Sequence, residues 1–136
     1  MKNVRTLLLS LLILLAALPL AAWQLGGKEM VLSGVGEREK FFVTIYFCYL
    51  YLPQALKGRD GTVILTQDQP MSVILKVDSS KLTRERFVNA TREGLQRAAA
   101  SGYATPHGER FLSLFARQAI HVGDVIALYY VPGQGL

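Results

Sequence analysis

The sequence predicts an α+β fold in which helices cover one face of an antiparallel sheet. Three observations lead there. Residues 41–52 read FFVTIYFCYLYL, apolar in both phases of a two-residue alternation, as a strand inside a sheet requires. Further strand-like runs precede, and one follows, two segments with helical spacing. Glycine, proline and aspartate clusters punctuate every junction.

The elements follow in order. Lys28 to Leu32 reads as a short strand and Ser33-Gly34-Val35-Gly36 as a turn. A lone G-x-G followed by a strand is no phosphate loop, because that motif needs a helix N-terminus next. Phe41 to Leu52 is the long strand, closed by Pro53. One of its faces carries Phe42, Thr44, Tyr46, Cys48, Leu50 and Leu52; the other carries Phe41, Val43, Ile45, Phe47, Tyr49 and Tyr51. The first face is smaller and more polar near its start, so it is expected to line a cleft. Tyr49 and Tyr51 are expected to pack under the helices. Gln54 to Leu56 forms a helical turn, and Lys57 to Gly61 a polar loop. Thr62–Leu65 and Met71–Val77 follow as strands.

A helix is expected from about Ser80 to Ala100, with Ser79, Ser80 and Thr83 as rival caps. With Thr83 as cap, Leu82 and Phe87 make a hydrophobic staple. Phe87, Thr91, Leu95 and Ala98 form the inward stripe, and Gly102 stops the helix. Arg84 and Arg92 lie on the solvated face. Thr105-Pro106 opens a second helix, with Phe111, Leu112, Leu114, Phe115 and Ala119 as its buried stripe. Gly123-Asp124 turns the chain into a strand over Val125–Val131, and Pro132–Gly135 reads as a hairpin turn. That strand is left as an apolar edge.

Residues 1–22 read as a signal peptide. Lys2 and Arg5 form its positive start, Leu7–Leu15 its apolar middle interrupted by Ser10, and Pro19 with Ala21-Ala22 its cleavage region. The apolar run is short for a membrane-spanning helix and Pro19 breaks it. The expectation is a cleaved leader, a folded domain over residues 23–136, and a periplasmic destination. An uncleaved inner-membrane anchor is the alternative, and the leader is then the only membrane contact.

Composition excludes several classes. The net charge of +5 includes Lys2 and Arg5. Residues 23–136 keep 13 basic and 10 acidic side chains, a mildly basic surface and no nucleic-acid footprint. Hydrophobic residues make up 51%, which excludes a disordered chain. Cys48 is the single cysteine, so no internal disulfide forms, and it reads as a buried, inert thiol. His107 and His121 sit at opposite ends of the second helical segment, too far apart to share a metal. No metal or organic cofactor is implied.

Four stretches carry a family resemblance: LSGVGERE (32–39), FFVTIYFCYLYLP (41–53), KLTRERFVNATREGL (81–95) and HVGDVIALYYVPGQGL (121–136). With the element order, they resemble the chalcone isomerase fold, and most of all its bacterial, signal-peptide-bearing chalcone isomerase-like members. The resemblance implies an open-faced sandwich with its C-terminal part missing, namely a returning strand and terminal helices.

The resemblance also implies a site. Plant members of the fold close a ring by adding a phenolate to an enone. Their arginine in the turn before the long strand matches Arg38. Their threonine, which polarises the ketone through water, falls on Tyr46, with Thr44 two residues away on the same face. Their tyrosine and asparagine at the helix start fall on Leu82 and Asn89, so only the asparagine is kept. Each donor lost near a developing oxyanion costs about 2.7–4 kcal/mol of transition-state stabilisation. Fatty-acid-binding members instead hold a carboxylate with an arginine and a tyrosine, which Arg38 and Tyr46 resemble. Phe42, Cys48, Leu50 and Phe87 would then enclose an apolar tail. Plainer readings stand beside these: Arg38 pairing with Glu37 or Glu39, Tyr46 in the core, Asn89 in solvent.

The expected function is non-catalytic binding of a small amphipathic acid, such as a fatty acid or a phenolic compound. The alternatives are an intramolecular lyase of the chalcone isomerase type, and an envelope interaction protein that pairs its exposed sheet edge with a protein partner.

Overall fold

The computed structural model describes residues 23–136; the leader expected over residues 1–22 lies outside them. Five strands form one antiparallel sheet in chain order. They are β1 (Gln24–Leu25), β2 (Lys28–Lys40), β3 (Val43–Pro53), β4 (Met71–Val77) and β5 (Val125–Tyr130). A 3₁₀ turn, Gln54–Leu56, follows β3. The helices are α1 (Gly61–Thr66), α2 (Arg84–Ala100) and α3 (Gly108–Ser113). The long strand lies at the centre, between β2 and β4, as its two apolar faces demand.

The expected turn at Ser33–Gly36 is strand instead. Gly34 and Gly36 pair with Leu50 and Cys48, and the register shifts once between Leu32 and Gly34. Ser33 is the extra residue, a bulge with its hydroxyl bonded to the Val31 carbonyl at 3.1 Å. The chain reverses later, at Phe41-Phe42, whose φ angles are 52° and 62°. Two consecutive left-handed residues are what a two-residue hairpin needs, and glycine or asparagine usually supplies them. Here two phenylalanines do, so the turn carried no composition signal. Their side chains are 82% and 102% exposed, which removes Phe42 from any pocket lining.

A second register shift, between Arg38 and Glu39, places Arg38 opposite Tyr46 and Glu39 opposite Thr44. Ile45 is therefore the extra residue on β3. A bulge puts two successive side chains on one side of the sheet. Ile45, Tyr46 and Val43 accordingly all join the helix-side core. Thr44 is flipped to the other face, where its hydroxyl reaches Glu37 Oε2 at 3.4 Å. The expectation that Thr44 and Tyr46 share a face fails for this reason.

Thr62–Leu65 is helical and not a strand. Asp60 caps α1 by accepting from the Thr62 N–H at 2.8 Å, and this local bond outweighs the β-branched composition. At α2 the rivalry between caps resolves to Thr83, which accepts from the Arg86 N–H at 3.3 Å. Leu82 and Phe87 are both buried in one cluster with Ile45 and Val77, as the staple predicts. The helix ends in a Schellman motif: the Gly102 and Tyr103 N–H groups donate to the Ala99 and Ala98 carbonyls at 3.1 and 2.9 Å. The second helix is shorter than expected and starts only at Gly108. Thr105 Oγ1 accepts from the His107 N–H at 3.2 Å, so Thr105-Pro106 makes a local turn ahead of the helix.

The helices cover one face only. Tyr46, Leu75 and Ile126 pack against the buried cluster, as do Phe115 and Ile120 from the segment after α3. The opposite face carries Tyr49 and Tyr51, contrary to the expectation that these lie under the helices. Register explains it: β3 residues alternate, and Tyr46 faces the helices. Trp23 lies on this face, with ring centroids 5.1 Å from Tyr51 and 6.1 Å from Tyr129. Ser72 stands between those two tyrosines in the ladder. It is 1% exposed and its hydroxyl has no partner among the described residues.

β5 pairs with β4 alone among the described strands. The Pro132–Gly135 turn closes back on Val131, which pairs with Gly135 in an isolated bridge.

Candidate functional site

Two places on the helix-covered side could receive a ligand, one at each end of the sheet. The first is the Arg38–Tyr46 pair. Direct opposition across an antiparallel ladder brings two Cβ atoms to about 4.5–5.5 Å, and these residues are so opposed. Arg38 is exposed. Among the described residues its guanidinium has no carboxylate within ion-pair range, so the expected pairing with Glu37 or Glu39 is not made. Tyr46 is half-buried and packed against the core cluster. Cys48 and Leu50 follow it on the same face, and burial pushes the Cys48 thiol above its ordinary pKa. The phenyl ring of Phe87 lies 4.8 Å from that of Phe115, and both press on this end of the sheet. The structure thus brings Arg38, Tyr46 and Phe87 toward one end, and that end is filled with packed side chains.

Asn89 is elsewhere. It lines a groove of about 380 Å³ between α2 and α3, where its Oδ1 accepts from Arg92 Nη1 at 3.3 Å. The other charges there are also engaged: Arg92 with Glu109 at 3.3 Å, and Arg84 with the Ala116 carbonyl at 2.9 Å. A groove whose cations are already matched offers little to an anion.

The second place is a cleft of about 770 Å³ between the helices and the far end of the sheet. Its floor is Leu128 and Tyr130 of β5; its walls are Leu95 of α2 and Phe111 and Leu114 beside α3, with Leu136 at the edge. Leu114 is 67% exposed, an apolar side chain with nothing over it. Thr105, His107, Gly108, Arg110, Gln134 and Gly135 complete the lining, and no carboxylate side chain is part of it. The Tyr130 hydroxyl is committed outward: it donates to Asp68 Oδ1 at 2.6 Å, which raises its pKa. A volume of this size with an apolar interior and few polar groups suits a small amphipathic molecule.

The two places share a face but are not joined. Leu128 is in register with Val73, and Val73 with Leu50. Tyr46 and Leu50 are four residues apart on β3, about 13 Å. Packed Phe87, Phe115, Leu75 and Ile126 occupy the Tyr46 end of that span, and neither Arg38 nor Tyr46 lines the cleft.

The sequence does not disclose the cleft. Leu95 falls on the inward stripe and Phe111 and Leu114 on the next one, and only the β5 alternation brings them a common floor. Ile126, Leu128 and Tyr130 form one face of that strand, and that face was the available signal. Arg110 gave none, since an arginine in a short amphipathic segment reads as solvated. Among the described residues no group of acidic, histidine or cysteine side chains could hold a metal, and no helix is long and apolar enough to cross a membrane.

The crystal structure of a fatty-acid binding protein from Arabidopsis thaliana is similar, with a TM-score of 0.59 at 19% identity, over 83% of this chain and 68% of that one. At that identity the likeness establishes the fold. No curated protein matches in sequence. The chalcone isomerase-like family model matches residues 17–136, including all four stretches singled out in the sequence and every element of the sheet, and the chain belongs to the chalcone isomerase-like family.

Proposed function

We propose that this protein is a non-catalytic binder of a small amphipathic acid, such as a fatty acid or a phenolic acid. The observation that carries the reading is the cleft of about 770 Å³, apolar in its floor and walls, with a cation on its rim and no carboxylate side chain in its lining. The fatty-acid binding protein of the same fold supports it. Isothermal titration calorimetry with dodecanoate tests it: one saturable site per chain is expected, and absence of heat across the soluble range of the ligand rejects it. Ring closure has less support. Thr44 faces away from Tyr46, Asn89 lies in a different groove, and the enzyme's polar set is not assembled. Purified protein is expected to leave chalcone absorbance decaying no faster than buffer does.

One observation favours a second reading, strand pairing with a protein partner. The β5 sequence VIALYY has no charge, proline or bulge, whereas the β2 edge has a bulge at Ser33 and the charged run Glu37–Lys40. Edges are normally protected in the second manner. A monodisperse, unliganded monomer in sedimentation would count against this reading. We also infer export to the periplasm from residues 1–22. The intact mass of the protein recovered from that compartment tests it, and a mass retaining the leader points to an anchored form.

A further inference from the structure

We infer that Arg110, and not Arg38, anchors the ligand's carboxylate, so that the acid lies with its head at α3 and its tail over Leu128. The inference rests on the proposed binding function and concerns the orientation within it.

Four observations carry it. Arg110 lines the cleft, whereas Arg38 stands opposite Tyr46 at the packed end. Among the described residues the Arg110 guanidinium has no ion pair, unlike Arg84 and Arg92 nearby on the helix layer. The other polar groups of the cleft are poorly suited as principal anchors, and Gln134 among them offers only an uncharged amide. Tyr130 donates its hydroxyl proton to Asp68, and Thr105 Oγ1 already accepts from the His107 backbone. Finally, the walls next to Arg110 are apolar, through Phe111 and Leu114. A carboxylate beside an apolar wall is held best by a planar, permanently charged fork. His107 and the Thr105 hydroxyl proton are left as secondary donors on the same rim. The chemistry selected is a monoanionic head on an unbranched or flat apolar body, with the uncharged alcohol of equal length bound more weakly.

The test is calorimetry with dodecanoate and with 1-dodecanol on the wild-type full chain, Arg110→Gln, Arg110→Lys and Arg38→Ala. Both arginines are exposed, and thermal melts by circular dichroism check that each variant is folded. The expected result is a loss of about tenfold or more in dodecanoate affinity for Arg110→Gln. Arg110→Lys should recover part of it, dodecanol affinity should not change, and Arg38→Ala should match the wild type. Wild-type affinity in Arg110→Gln with loss in Arg38→Ala overturns the assignment while leaving the binding function intact. Equal loss in both variants overturns it as well, because a single anchor predicts none for Arg38. Failure of the wild type to bind either probe overturns the binding function itself.

Discussion

The two ends of the helix-covered face are built from the same elements and differ in how completely they close. At the Tyr46 end the α2 stripe begins with Phe87, stapled to Leu82 and packed at a tilt against Phe115, over Ile45 and Val77. At the Tyr130 end the same stripe arrives at Leu95, and the side chains beneath it, Leu128 and Tyr130, are left facing a cleft. Interior packing at crystal-like density accounts for the first end; the second lacks partner atoms for the same kind of surface. An apolar stripe that is not spent on folding is available for a ligand. Arg38, the arginine that the resemblance singles out, stands opposite Tyr46 at the closed end, away from the cleft.

Substitutions at the two ends should therefore separate stability from binding. The largest effect is expected for Phe87→Ala, which opens a cavity in the closed end and should cost about 3–5 kcal/mol in urea unfolding; a loss under 1 kcal/mol would mean that end is not closed. The hairpin beyond the closed end should respond in the opposite sense. Replacing Phe41-Phe42 by Asn-Gly removes two side chains from left-handed backbone, and stability should rise by about 2 kcal/mol. Ser72→Ala probes the opposite face of the sheet, where among the described residues a buried hydroxyl has no partner; a gain of about 1 kcal/mol is expected. The smallest change in stability, within about 0.5 kcal/mol, is expected for Leu128→Trp, which adds bulk where the floor of the cleft has room.

Much of the fold was legible in the sequence because its signals are local. The central strand, the Thr83 cap with its Leu82–Phe87 staple and the Gly102 stop are each set by a few neighbouring residues. What the sequence does not show depends on pairing across the sheet. Nothing in the stretch from Ser33 to Ile45 announces two bulges, and each moves an alternation by one residue. The second bulge decided that Thr44 left the candidate site. The turn was hidden because phenylalanine occupies a conformation that glycine normally marks. The α1 segment reads as a strand because three β-branched residues, Thr62, Val63 and Ile64, outnumber one capping aspartate. For the site, the sequence groups Tyr46, Cys48 and Leu50 on one face of the long strand, but it puts Tyr49 and Tyr51 under the helices where the structure puts Tyr46, and the space near Tyr130 needs the layers to be assembled first.

The central claim, that the open end is the ligand site, is tested most directly by titrating dodecanoate into wild type, Leu128→Trp and Leu114→Glu. The last variant alters a side chain that is 67% exposed, so it tests the cleft without touching the core. One site per chain in the wild type, lost or weakened about tenfold or more in both variants at unchanged melting temperature, is the predicted result. Binding of wild-type strength in both variants would contradict it.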